Sequence, residues 1–123
     1  MLDASAVLAL LQQEPGEEVV TPFVGRAAWS AVNLCEVAGK LTDRGMPMLE
    51  VQEALDGLNL TVHDFDSEMG LAAADLRRTV PRSLSIGDRA CLALARRLGL
   101  PAVTAEREWK RLEIDGLVVK PIR

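Results

Sequence analysis

Met1-Leu2-Asp3-Ala4-Ser5-Ala6-Val7-Leu8-Ala9-Leu10-Leu11 is the stretch whose reading decides the fold. Leu2-Asp3 reads as the end of a short strand, and Ser5 to Leu11 as an apolar helix that Glu14-Pro15-Gly16 terminates. A carboxylate placed between an apolar strand and an apolar helix, with no basic residue nearby in sequence, needs a partner or a metal. A strand feeding a helix also opens an α/β unit, and the rest of the chain repeats that alternation.

Residues 17–25 read as a second short helix and Ala27-Ala28-Trp29-Ser30 as a short buried strand. Helical periodicity runs from 31 to 44 through Val32, Leu34, Cys35, Ala38 and Leu41, and Gly45 stops it. Pro47 starts a helix reaching about Gly57, and Leu60-Thr61-Val62-His63 reads as a strand. Asp66 caps a helix that turns Met69, Ala72, Ala73 and Leu76 inward. Ser85 opens a helix to Leu98, Ala102-Val103-Thr104 is a strand, 106–112 a short helix, and 117–119 a last strand. This alternation predicts an α/β domain, a mostly parallel central sheet between two helical layers. Ligands in such folds gather beyond the carboxyl ends of the strands.

At 123 residues the chain fits one domain, spanning 1–123, and at 49% apolar residues it can bury a real core. No apolar run approaches the roughly 20 residues of a membrane span. The start lacks a basic n-region, so a cytoplasmic protein is expected. Cys35 and Cys91 have no metal-type spacing and are expected to be reduced and buried. His63, the single histidine, suits a surface or capping role. The net charge of −4 hides an asymmetry: residues 1–76 carry three cations and thirteen acids, 77–123 eleven cations and five acids, giving −10 and +6. A basic half can mark a nucleic-acid surface or can simply be solvated helix faces.

Four acids stand where the chain leaves a strand or enters a helix: Asp3, Glu36, Asp88 and Glu106. Each has a structural explanation by itself. Asp88 lies three residues after Ser85, the spacing of a capping box, and Glu106 could cap a short helix. Together, one acid after each of several strands fits an acidic pocket. Carboxylates gathered there resist ionising together unless a hard divalent cation joins them, which points to Mg²⁺ or Mn²⁺. Ser5 and Thr104 would flank that pocket, either orienting a carboxylate or capping helices, and Asn33 could hydrogen-bond across it.

At these residues the chain resembles a PIN-domain ribonuclease, most closely the toxin of a VapBC-type toxin–antitoxin pair. Four segments carry the resemblance in family order. They are Leu-Asp-Ala-Ser-Ala-Val-Leu-Ala-Leu-Leu followed by Glu-Pro-Gly, Ser-Ala-Val-Asn-Leu-Cys-Glu-Val, Leu-Ser-Ile-Gly-Asp-Arg-Ala-Cys-Leu-Ala-Leu-Ala, and Leu-Pro-Ala-Val-Thr-Ala-Glu-Arg-Glu-Trp. The resemblance implies a PIN-like three-layer fold and an endoribonuclease that hydrolyses RNA with Mg²⁺, leaving a 5′-phosphate and a 3′-hydroxyl. Asp3, Glu36 and Asp88 match the family's acidic motif, and Thr104 its hydroxyl residue. Glu106 departs from it, because the family usually has Asp there. Family members usually carry several residues before the first Asp, so the native chain could begin upstream of Met1.

Arg89 and Arg107 are candidates for flanking phosphates. A small antitoxin and a homodimer are the partners the resemblance implies. Val19, Val20, Phe23, Leu49, Val51 and Leu55 form the apolar set expected to face the antitoxin. Two competing readings remain. One is a PIN-like binding module without catalysis. The other is a phospho-acceptor switch of the response-regulator type, suggested by Lys120-Pro121 but lacking a paired acid beside Asp3.

Overall fold

The computed structural model describes residues 1–123. Its helices are α1 (Ala4–Leu11), α2 (Glu17–Val20), α3 (Ala31–Asp43), α4 (Met48–Gly57), α5 (Ser67–Asp75) and α6 (Ile86–Leu98). The strands are β1 (Ala28–Ser30), β2 (Thr61–His63), β3 (Ala102–Thr104) and β4 (Val119–Pro121). β1 pairs in parallel with β2, Ala28 opposite Thr61, and β3 in parallel with β4, Ala102 opposite Val119.

Residues 1–3 join these two pairs into one sheet. The Leu2 N–H donates to Ala28 O at 2.9 Å. On its other side, Leu2 forms a parallel bridge with Val103, the Val103 N–H donates to Met1 O at 2.8 Å, and the Asp3 N–H donates to Val103 O at 3.0 Å. Across the sheet the order is β2, β1, residues 1–3, β3, β4, parallel within each strand pair and between Leu2 and Val103. Asp3, the β1–α3 junction and Thr104 therefore reach the same edge.

Side chains alternate between two cores along this sheet. Leu2, Trp29 and Val103 pack with α1, α3 and α4 through Val7, Val37 and Val51. Met1, Ala28 and Ala102 pack on the opposite face with α5, α6 and Trp109. Both faces are thus covered, giving the α/β/α arrangement. The sheet is narrow, with strands of three residues, so the helices supply much of both cores. Gly16, at φ 96°, lies where any Cβ would run into the Ile122 carbonyl, so α2 docks on the C-terminal segment only through a glycine.

Several expectations are corrected. The helix at 17–25 is one α-turn followed by a 3₁₀ turn at Thr21–Phe23, because Pro22 has no amide hydrogen to continue an α-ladder. The short helix after Thr104 is a 3₁₀ helix, Arg107–Arg111, and the last strand begins at Val119. Cys35 is exposed on α3, while Cys91 is buried. Val20 and Val51, expected on a partner-facing surface, are fully buried core residues, whereas Leu49 is 74% exposed. No helix is long and apolar enough to cross a membrane.

Candidate functional site

The four acids come from four separate segments and line one open cleft of about 460 Å³. Asp3 ends the central strand, Glu36 lies on the second turn of α3, Asp88 on the first turn of α6, and Glu106 just ahead of the 3₁₀ helix. Ser5, Lys40 and the connection Ser83–Ser85 complete much of the wall.

Asp3 is only 2% exposed. Its Oδ2 accepts hydrogen bonds from Ser5 Oγ at 2.6 Å and Thr104 Oγ1 at 3.0 Å. Each hydroxyl in turn accepts a backbone N–H, Ser5 from Ala105 at 2.9 Å and Thr104 from Glu106 at 3.0 Å. With its one hydrogen given to Asp3 and an amide at its back, each hydroxyl is oriented as a donor toward a charged carboxylate. This places Ser5 and Thr104 in a single network around Asp3.

Burial nevertheless raises the Asp3 pKa above its ordinary value, and the Asp88 charge adds to the rise, while the Ser5 and Thr104 hydrogen bonds oppose it. Glu36 is raised too, first by burial and then by Asp3 and Asp88, with Lys40 pulling the other way. No ion pair joins any of the four acids to a basic side chain.

Asp88 serves two purposes at once. Its Oδ2 accepts from the Ser85 N–H at 2.9 Å, and its own N–H donates to Ser85 Oγ at 3.1 Å, a complete capping box. The cap fixes the carboxylate at the cleft wall. Glu106 stands at the N-cap position of the 3₁₀ helix without making a side-chain cap bond. Its carboxylate is left for the cleft.

Beneath the acids, Gly87 carries little signal in the sequence, while Asn33 bridges two helices as its position suggested. Gly87 supports the Glu36 carboxylate directly: a Cβ there would overlap Glu36 Oε1. Asn33 is fully buried and donates Nδ2–H to Gly87 O at 3.1 Å, tying α3 to α6 beneath the acids. Its Oδ1 has no partner. Lys40, one turn after Glu36, is the one cation of the cleft lining. An i, i+4 count from Glu36 finds it.

Arg89 is not brought into the cleft. Its guanidinium donates to Ala73 O at 3.1 Å and ties α6 to α5. Arg107 is exposed at the start of the 3₁₀ helix and outside the cleft lining. Lys120 lies over the Phe23 ring, 5.2 Å from its centroid, far from the role a phospho-acceptor switch would give it.

The donor set suits a hard cation, since four carboxylates face a single lysine, Lys40, and Asp3 is desolvated. No three of the acids converge closely enough to cage an ion by themselves.

The family model of the PIN domain matches residues 1–115, and the chain belongs to the PIN domain family, whose members are generally nucleases. Its fold is similar to that of a toxin–antitoxin complex from Klebsiella pneumoniae (TM-score 0.73, 16% identity, 96% of this chain and 94% of that one). It is also similar to VapBC2 from Rickettsia felis bound to a DNA fragment from their promoter (TM-score 0.72, 18% identity, 98% and 96%). DNA-bound VapBC from Salmonella typhimurium is a third (TM-score 0.74, 19% identity, 100% and 97%). No curated protein sequence matches.

Proposed function

We propose that this PIN domain is a metal-dependent endoribonuclease, the toxin of a VapBC-type pair acting in the cytoplasm. The observation that carries the reading is that Asp3, Glu36, Asp88 and Glu106 line one cleft whose single cation is Lys40. Asp3, Glu36 and Asp88 would hold one or two Mg²⁺ or Mn²⁺ ions, with Glu106 as a longer-armed fourth ligand. A divalent ion bound there supplies Lewis acidity toward a phosphate oxygen and a nucleophile at neutral pH. Ser5 and Thr104 aim Asp3 and favour its charged form against burial, the Ser85 cap holds Asp88, and Gly87 sets the place of Glu36. Lys40 offsets part of the cleft's negative charge as an RNA phosphate enters.

A cognate antitoxin belongs to the same reading, supported by the toxin–antitoxin complexes among the similar structures, and a homodimer belongs to it through the family resemblance. Exposed Met48 and Leu49 on α4 offer an apolar contact for the antitoxin. Monomeric behaviour at high concentration in light scattering would refute the dimer. A binding module without catalysis is the second reading, favoured by the absence of three converging carboxylates. An RNA panel incubated with Mg²⁺ or with EDTA separates the two: the nuclease cuts only with Mg²⁺, and the module cuts in neither.

A further inference from the structure

The basic half of the chain finds no role in the acidic cleft, yet its cations are not scattered evenly. Arg77, Arg78 and Arg82 stand on the connection from α5 to α6, and Arg107, Lys110 and Arg111 on the 3₁₀ helix. All six are exposed. Between these segments lies a second groove of about 560 Å³, lined by Thr79 and Pro81 from the first and by Glu108, Arg111, Leu112 and Glu113 from the second. The groove runs on from the cleft. Glu108 lines both, and Ser83, Leu84 and Ser85, the next residues of the same connection, line the cleft.

Of the six cations only Arg78 has a carboxylate partner, Asp75 at 3.1 Å, in an exposed pair. Arg77 reaches only the Arg82 carbonyl, at 3.5 Å. The other four enter no ion pair. Like charges left unpaired along two neighbouring segments repel each other, and a polyanion removes that cost. The groove lining holds Glu108 and Glu113 against one cation, Arg111, so attraction has to come from Arg111 and from the cations on the two segments that line the groove, acting on phosphates. A chain of net charge −4 that admits nucleic acid to an acidic cleft needs such a local reversal of sign.

We infer that this groove carries the single-stranded RNA segment that leaves the cleft, its phosphates held by the cations of 77–82 and 107–111. The identity of the ligand rests on the ribonuclease reading. Contacts of this kind are sequence-independent and set affinity and its salt dependence.

Two triple variants of equal charge test the inference. In one, Arg82, Arg107 and Arg111 become Ser. In the other, Arg26, Arg44 and Arg96, on neither of the two segments that line the groove, become Ser. Fluorescence anisotropy of a short labelled single-stranded RNA is read in EDTA across a range of salt, so that metal-dependent hydrolysis does not intervene. Each lost phosphate contact removes about 0.7 from the slope of log K against log salt. The groove variant should lose about 2 units of slope and bind roughly 10- to 100-fold more weakly. The control variant should bind as the wild type does. Equal weakening in both, no change in the groove variant, or no RNA binding by the wild type overturns the inference. RNA held through the groove but never cut in Mg²⁺ would instead refute the nuclease reading and leave the groove standing.

Discussion

Gly87→Ala separates the acidic site from the stability of the fold. The added methyl would occupy the place of Glu36 Oε1. Overpacking in a core costs about 1–3 kcal/mol. Here the displaced atoms are the far end of a flexible, half-buried side chain at an open cleft, so most of that cost is avoided by rotating Glu36 away. Against it stands the helix preference of Ala over Gly, roughly 0.5–1 kcal/mol within α6. The two effects nearly cancel, so the change in stability should lie within about 1 kcal/mol, or about 4 °C in Tm for a chain of this size. Glu36, however, leaves its position opposite Asp3 and Asp88. Loss of one group that supports a metal is worth roughly 10- to 100-fold in metal affinity or activity. Mg²⁺ titrations of RNA cleavage, run beside thermal melts, read both quantities. An unchanged metal requirement in Gly87→Ala would refute the placement of Glu36 in the site, and a loss of several kcal/mol would show that Gly87 is a packing residue only.

The raised pKa values of Asp3 and Glu36 make the metal-free fold pH-dependent. The folded chain holds protons that the unfolded chain has released, so this contribution to stability is complete below about pH 4 and is lost as pH climbs through the raised folded values. In EDTA, the Tm advantage of Asp3→Asn over wild type should therefore widen from about pH 4 toward neutrality, and a constant difference in differential scanning calorimetry would contradict the desolvation of Asp3. Arg89→Ala should cost about 1 kcal/mol through the lost bond to Ala73 O and leave KM for RNA unchanged; a raised KM would return Arg89 to the substrate. Glu106→Asp should keep or raise activity, and Glu106→Ala should shift cleavage to higher Mg²⁺, whereas unchanged metal dependence in the alanine variant would leave a three-acid pocket.

The acidic quartet was legible because Asp3, Asp88 and Glu106 stand at strand or helix boundaries and Glu36 interrupts the apolar run of α3, and parallel strands bring such positions to one edge. The same patterning placed the four strands and every α-helix but α2 to within a few residues, α2 ending at Val20 instead of 25. Contacts between distant segments were not legible. Gly87 looks like an ordinary first-turn glycine until α3 is packed across α6 and brings Glu36 against it. Asp88 showed a capping box in sequence, but its spacing could not reveal that the cap also presents the acid to the cleft. Val20 and Val51 looked like surplus apolar surface because the depth of the core beneath α2 and α4 depends on tertiary packing. Arg89 misled for a similar reason: adjacency to Asp88 on a helix turns the two side chains in different directions, and Arg89 follows α5.

The central claim is that Asp3 holds a buried negative charge for a cation rather than for the fold. Asparagine keeps one oxygen for the Ser5 and Thr104 hydrogen bonds, which both end on Oδ2, and replaces the other oxygen and the charge with a neutral amide group. RNA cleavage in Mg²⁺ by Asp3→Asn, measured together with its Tm in EDTA, tests this directly. Cleavage should be lost while the metal-free protein melts at the wild-type temperature or above it. Cleavage at the wild-type rate would contradict the account.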